Sequence, residues 1–129
     1  MKNRSFLKFL FVFVAFIFSS AAAFAQPSND DPCSARALTV SASGCNFVQT
    51  TNQGATGTSG VPAPGCGSYN GHDVWYSAVV PASGSMTVMT QAGTMTDGAM
   101  AVYSGTCSSL LLVACNDDFV GVGTMPGLT

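Results

Sequence analysis

Apolar and polar residues alternate in short stretches along the second half of the chain, and turn residues separate these stretches. Residues 73–80 (DVWYSAVV) and 85–91 (SMTVMTQ) carry the clearest alternation, which is typical of strands with one buried face. Between them, Pro81-Ala82-Ser83-Gly84 has the composition of a turn. No amphipathic pattern of helical length follows residue 25. The sequence therefore predicts an all-β fold, an antiparallel β-sandwich or jelly roll, with further strands at 37–40, 47–51, 98–103 and 110–115.

The strand at 73–80 also predicts which side chains are buried. Successive side chains of a strand point to opposite faces, so Trp75 lies opposite its two neighbours. Two interpretations of Trp75 remain open: the Gly/Pro-rich loop 52–72 covers it, or it is an exposed platform for a sugar ring. The residues predicted to be buried together are Val74, Tyr76, Val80, Met86 and Val88.

The N-terminal segment has the pattern of a secretory signal peptide. A basic start precedes an uninterrupted apolar run at 9–18, and Ala23-Phe24-Ala25 matches a small-x-small cleavage site. The run is too short to cross about 30 Å of hydrocarbon as a helix. We expect residues 1–25 to be removed before Gln26, which predicts a secreted or cell-surface protein with no membrane span in the mature chain.

The mature chain is acidic and has no lysine. Residues 26–32 form a polar leader, and residues 33–129 form the predicted module. One basic residue, Arg36, stands against six aspartates, so the formal net charge is −5. This charge excludes nucleic acid as a partner, because a phosphate backbone is repelled.

All five cysteines lie after the signal segment, and export permits disulfides. Five is an odd number, so at least one thiol has no partner within the chain. A zinc site is disfavoured because the sequence has one histidine and no CxxC pair. Cys107 and Cys115 are eight positions apart, and a bond between them requires the chain to reverse at Ser108 to Leu111. Alternatively, Cys107 pairs elsewhere and 110–115 is one straight strand.

Two strings, GHDVWYSAVVPASGSMTV and AMAVYSGTCSSLLLVACNDD, together with the terminal GLT, resemble a known module. The resemblance is to bacterial pre-peptidase C-terminal (PPC)-like β-sandwich domains of proteins exported by the type IX system, and it covers about residues 66–129. Ala78 departs from the pattern, which has a larger apolar residue there. The matching residues are Asp73, Trp75, Tyr76, Pro81, Gly84, Tyr103, Gly105, Cys107, Cys115, Asn116, Asp117 and Asp118.

The resemblance implies a fragment of a longer protein that lacks the closing strand of the module. It also favours the local pair Cys107–Cys115; Cys33–Cys45 is then the other predicted pair, and Cys66 is the odd thiol. It further implies a non-catalytic accessory module that serves either as a binding module, for a carbohydrate or protein surface, or as a structural spacer beside the other domains of the parent protein. The alternative is a part of a secreted hydrolase or peptidase whose catalytic domain lies outside this chain.

Asn116-Asp117-Asp118 is the remaining candidate for chemistry. Side-chain capping of a turn is the first interpretation. Calcium binding is the second, with Asp73 or Asp97 as further oxygen ligands. No other cofactor is predicted. Catalysis by this segment is disfavoured, because adjacent carboxylates on a strand point apart and His72 is the only histidine.

Overall fold

The computed structural model describes residues 25–121 and 123–129. The predicted signal peptide, apart from Ala25, lies outside the described residues. Within them, one short 3₁₀ helix, Pro32–Ser34, accompanies the strands, and no helix is long and apolar enough to cross a membrane. The all-β prediction is therefore confirmed. The strands are β1 (Arg36–Ala37), β2 (Tyr76–Ser77), β3 (Val88–Met89), β4 (Met100–Thr106), β5 (Ser109–Asn116) and β6 (Gly127–Leu128).

The six strands pair into three separate two-stranded sheets. β4 pairs with β5, and β3 pairs with β6, both antiparallel. β1 pairs with β2 in parallel, so the expectation of a purely antiparallel fold is wrong for this pair. A parallel pair needs a long connection, and the irregular residues 38–75 supply it. That connection includes 47–51, which was predicted as a strand but has no ladder partner.

The β4–β5 hairpin is the longest regular element, and its turn is set by glycine. Thr106 pairs with Ser109 across a two-residue turn. Gly105, just before the turn, has φ +115°, and a Cβ there would collide with the Ser109 carbonyl oxygen. Between Val102 and Tyr103 the register shifts by one residue, which leaves Val113 without a cross-strand partner. The predicted turn at 81–84 is also present, since the Gly84 N–H donates to the Pro81 carbonyl at 2.9 Å.

The predicted buried cluster does not form a core. Val80 is 53% exposed, and Val74, Tyr76, Met86 and Val88 are half-buried. All five side chains line an open cavity of about 2960 Å³. The physical reason is that two-residue strands present too few side chains to make a continuous apolar face. Among the described residues, the buried hydrophobic core consists of Ala55 and Met125, each 3% exposed.

Two disulfides join distant parts of the chain, and both predicted pairs are wrong. Cys33 bonds Cys107, with Cα atoms 4.8 Å apart, and Cys66 bonds Cys115, with Cα atoms 6.0 Å apart. Cys45, not Cys66, is the free and exposed thiol. β5 runs straight from Ser109 to Asn116, so Cys107 in the turn is separated from Cys115 by about 26 Å of extended chain. A local bond is therefore excluded by the same extension that makes β5 a strand.

Candidate functional site: the polar clasp

Three loop segments, residues 26–30, 52–58 and 69–75, meet around two aspartates, Asp30 and Asp73. We call this arrangement the polar clasp. Each segment is rich in Gly, Ser, Thr, Asn or Asp, and such residues favour side-chain hydrogen bonds to nearby backbone over regular ladders. The clasp therefore forms outside the sheets, yet it contains the buried polar side chains of the described chain, Asn29 and Asp30.

Asp73 is the more highly bonded of the two carboxylates. Its Oδ1 accepts from the Thr58 N–H at 3.1 Å and the Tyr69 hydroxyl at 2.7 Å. Its Oδ2 accepts from the Thr58 hydroxyl at 2.6 Å and the Trp75 indole at 2.7 Å. Partial burial raises the pKa of Asp73, but the hydrogen bonds from Thr58, Tyr69 and Trp75 outweigh it and leave the pKa lowered. Four donors match the four lone-pair directions of a carboxylate.

Asp30 closes the other side of the clasp and is only 4% exposed. Its Oδ1 accepts from the Thr56 N–H at 2.7 Å and its Oδ2 from the Thr56 hydroxyl at 2.6 Å. The Gln26 side-chain amide also donates to Oδ2. The Thr56 hydroxyl is the main cause of a lowered pKa at Asp30. Asp30 thus ties the leader to the loop that also holds Asp73.

Backbone pairing joins the leader to the segment that carries Trp75. The Trp75 N–H donates to the Asn29 carbonyl at 2.8 Å, and the Asn29 side-chain amide donates to the Trp75 carbonyl at 2.9 Å. His72 lies one residue before Asp73 with φ +63°, and its Nδ1 is 2.8 Å from the Ala55 carbonyl oxygen. The ring of His72 is therefore oriented by a backbone oxygen of the clasp.

Three aromatic side chains line the open cavity: Tyr69 and Trp75, which belong to the clasp, and Tyr103 of β4. The rings of Trp75 and Tyr103 have centroids 5.5 Å apart at 46°, and the Tyr103 hydroxyl donates to the Pro62 carbonyl at 2.7 Å. Tyr69 remains 49% exposed. Partial burial, then its hydrogen bond to Asp73, raises the pKa of Tyr69 to about 12. Partial burial and the negative charge of Asp73 also raise the pKa of Tyr103.

Trp75 fits neither of its two predicted interpretations completely. Thr58, from the loop expected to cover it, accepts a hydrogen bond from the indole at 2.9 Å. The side chain is half-buried rather than enclosed. The interpretation of Trp75 as a ligand platform stays a prediction.

The predicted calcium ligands Asn116, Asp117 and Asp118 lie at the end of β5, outside the three segments of the clasp. Asn116 donates to the Asp118 carbonyl at 3.1 Å and accepts from the Gly127 N–H at 3.3 Å, which is turn capping. In residues 25–121 and 123–129, no three Asp, Glu, His or Cys side chains gather as a metal-binding group. Asp73 and Asp97 therefore do not join Asp117 and Asp118, and calcium binding by this turn stays a prediction.

Sequence reasoning missed most of the clasp. Asp30 falls within the predicted polar leader, and Thr56, Thr58 and Tyr69 fall within the predicted Gly/Pro-rich loop 52–72. One signal was present: Asp73 and Trp75 are two positions apart in an extended segment and so share a face. Each hydrogen bond that joins two segments of the clasp connects residues at least 15 positions apart in the chain. No local sequence pattern connects such residues.

Comparison with known proteins adds no relative: no family model, no curated protein and no solved structure matches this chain.

Proposed function

We propose that this chain is a secreted, non-catalytic accessory β module of a larger exported protein, and that it binds a carbohydrate surface. The observation that carries the proposal is the position of Tyr69, Trp75 and Tyr103. All three line the open cavity, and hydrogen bonds to Asp73, Thr58 and Pro62 orient them. An oriented aromatic side chain with a polar edge offers both an apolar face and a hydrogen-bonding rim.

The charge of the module narrows the class of carbohydrate. With Arg36 as the one basic residue of the mature chain against six aspartates, a polyanionic glycan is repelled. A neutral polysaccharide meets no such penalty. Its apolar ring faces fit an aromatic surface, and its hydroxyl groups fit the polar edges of the tyrosines.

The bonding of the clasp supports a binding role over a catalytic one. A general acid or base needs a proton-transfer position open to substrate. Both oxygens of Asp73 already accept two hydrogen bonds each from the protein, and Asp30 is held by Thr56 and Gln26. These carboxylates hold the loops in place, and any hydrolytic activity of the parent protein belongs to another domain.

Export and the larger setting rest on the sequence together with the disulfides. Two intrachain disulfides are typical of oxidising compartments, and the basic, apolar and small-residue pattern of 1–25 is that of a signal peptide. The resemblance to PPC-like domains supports a two-layer sandwich and an accessory role beside a peptidase, adhesin or polysaccharide-acting enzyme.

Retention on insoluble neutral polysaccharides tests the binding proposal. The exported protein is passed over cellulose and chitin, and Tyr69→Ala is compared with Tyr69→Phe. We expect Tyr69→Ala to weaken retention about tenfold, or about 1.4 kcal/mol, while Tyr69→Phe keeps the ring and most of the binding. Leu111→Ala is the matched control, because Leu111 is exposed on β5 and outside the cavity lining. Equal retention of all three variants would contradict the proposal, and so would a failure of the unsubstituted protein to be retained.

A further inference from the structure

Asn70 and Gly71 lie in the clasp segment 69–75, between residues that are anchored on both sides. The Tyr69 hydroxyl donates to Asp73 at 2.7 Å, and the His72 carbonyl accepts a hydrogen bond from the segment 52–58 at 3.2 Å. Asn70 itself is exposed. In the part of the chain that the structure describes, neither its side chain nor the Gly71 N–H makes a hydrogen bond. No such bond therefore holds the Asn70 side chain away from the peptide that follows it.

The fold requires glycine directly after Asn70. Gly71 has φ +85°, a conformation that residues with a side chain rarely adopt. A Cβ there would also lie 3.2 Å from the Cα atom of Gly57, where two clasp segments approach each other. The backbone nitrogen of Gly71 consequently has no neighbouring side chain to shield it. Of the five asparagines that follow residue 25, Asn70 alone precedes a glycine.

We propose that Asn70 is a modification site, at which the chain converts its own asparagine into isoaspartate through a succinimide ring. The deprotonated Gly71 nitrogen attacks Cγ of Asn70. An N–Cγ bond forms and the Cγ–Nδ2 bond breaks, and Nδ2 leaves as ammonia after it gains a proton in place of the one that Gly71 lost. Water then cleaves the bond between the ring nitrogen and the main-chain carbonyl carbon of residue 70. Nothing is oxidised or reduced, and water is the only co-reactant.

The other asparagines of the clasp are protected by their hydrogen bonds. The side-chain amides of Asn29 and Asn52 each donate to a backbone carbonyl of the segment 69–75, at 2.9 and 3.2 Å. Loss of the amide nitrogen would break these bonds, whereas Asn70 has none to lose. Asn46 is exposed like Asn70, but Phe47 follows it and its side chain obstructs the attack. Asn46 therefore serves as a reference within the same molecule.

Isoaspartate at position 70 loosens the clasp. The main chain then runs through Cβ and Cγ of residue 70, so one methylene is added between Tyr69 and Asp73, whose side chains are hydrogen-bonded at 2.7 Å. A carboxylate also appears three positions before Asp73, in a chain that already carries six aspartates, and like charges repel. The Tyr69 ring is thereby displaced from Asp73. The change runs in one direction, because the ammonia is lost to solvent.

Ageing of the exported full chain in mildly alkaline buffer tests the proposed site. Mass spectrometry of peptides compares residue 70 with Asn46 in the same sample, and a methyltransferase specific for isoaspartate labels the product. We expect the peptide with residue 70 to become heavier by the difference between water and ammonia. Its conversion should be at least about tenfold faster than that of Asn46, which corresponds to about 1.4 kcal/mol of barrier. Asn70→Gln is the matched control: its longer side chain would have to close a six-membered ring, so position 70 should stay unlabelled.

The titration of Tyr69, measured by ultraviolet absorbance as the difference from Tyr69→Phe, reports the effect on the clasp. Partial burial and then the hydrogen bond to Asp73 raise the pKa of Tyr69 to about 12, and ageing should lower this pKa toward the ordinary 10.0. Aged Asn70→Gln should keep the raised pKa. Equal conversion rates at residue 70 and Asn46, or labelling of Asn70→Gln at position 70, would overturn the proposed site. Conversion at residue 70 with an unchanged titration of Tyr69 would overturn the loosening of the clasp.

Discussion

The polar clasp and the β4–β5 hairpin are stabilised in opposite ways. The hairpin has the longest backbone ladder, yet Leu111 and Val113 on β5 are 67% and 61% exposed. The clasp is made largely of irregular loops, yet it encloses Asn29 and the carboxylate of Asp30. In these two regions, regular structure and burial are therefore separate. The ladder satisfies backbone groups without covering side chains, whereas the clasp buries polar side chains because each finds a partner.

The two disulfides connect these regions at both ends of the hairpin. Cys107, in the hairpin turn, bonds Cys33, which follows the leader of the clasp. Cys115, near the open end of β5, bonds Cys66, which lies between two clasp segments. A hairpin with few buried side chains is thus attached to the clasp by covalent bonds where apolar packing is sparse.

Removal of a disulfide is the largest expected perturbation of this arrangement. The bonds close sequence separations of 74 and 49 residues. Chain entropy then predicts a loss of about 4 kcal/mol of unfolding free energy for either cysteine pair replaced by serine. Urea unfolding measures the loss, and Cys45→Ser, at the free thiol, is the control that should change nothing. Non-reducing peptide maps should join 33 to 107 and 66 to 115; a fragment that joins 107 to 115 would disprove the pairing.

Substitution of Asp73 tests the clasp alone. Asp73→Asn puts an NH₂ group in place of the Oδ2 oxygen, to which the Thr58 hydroxyl and the Trp75 indole donate. Hydrogen-bond donors then face one another without an acceptor. We expect a loss of about 1–2 kcal/mol of unfolding free energy. Asp97→Asn removes the same charge from an exposed position and should change stability by less than about 0.5 kcal/mol. Equal effects of the two substitutions would mean that charge, rather than hydrogen bonding, is responsible.

Acid should loosen the clasp before the hairpin. The pKa values of Asp30 and Asp73 in the folded chain lie below the ordinary 3.8. Their contribution to stability is therefore complete above that pH and is lost as the pH falls through the lowered values. Fluorescence of Trp75, the single tryptophan, should report the change, and Asp73→Asn should weaken the pH dependence. A melting temperature that is constant down to pH 2 would contradict this assignment.

Alkali should act on the clasp through Tyr69. Its pKa in the folded chain is raised from 10.0 to about 12. The protonated phenol therefore contributes stability that is complete below pH 10 and is lost as the pH rises to about 12. Thermal melts across this range should show a smaller decline for Tyr69→Phe, which has no proton to lose. An identical decline in both proteins would assign the effect to other groups.

The smallest effect is expected on the exposed face of the hairpin. Leu111→Ser changes a side chain that is mostly in solvent, so we expect a change within about 0.5 kcal/mol. Urea unfolding against Ala55→Ser, at a buried position of the clasp, gives the contrast. A loss at Leu111 larger than that at Ala55 would show that another surface covers the hairpin in solution.

Elements whose information is local were predicted well from the sequence. Two apolar runs on either side of a small polar turn placed the strands that became β4 and β5 to within a few residues, and Pro81 and Gly84 marked a turn that forms. Alternation overestimated the strand at 73–80, of which only Tyr76 and Ser77 form a ladder. The reason is that the neighbouring Asp73 and Trp75 use their side chains to bind the loop at Thr58, a partner that a local pattern does not contain.

The amino-acid sequence by itself determined the all-β class, the positions of the main turns and the acidic surface, because each depends on residues that are near one another or on composition alone. Only the tertiary structure decided which cysteines bond, which aspartates are enclosed and that β1 and β2 run parallel. These outcomes depend on which distant segments meet. Cys107 bonds Cys33 because β5 stays straight and carries Cys115 away, while the leader brings Cys33 to the hairpin turn. Asp30 is buried and Asp73 is half-buried because two threonines of a single loop bind them, Thr56 at the Asp30 carboxylate and Thr58 at the Asp73 carboxylate.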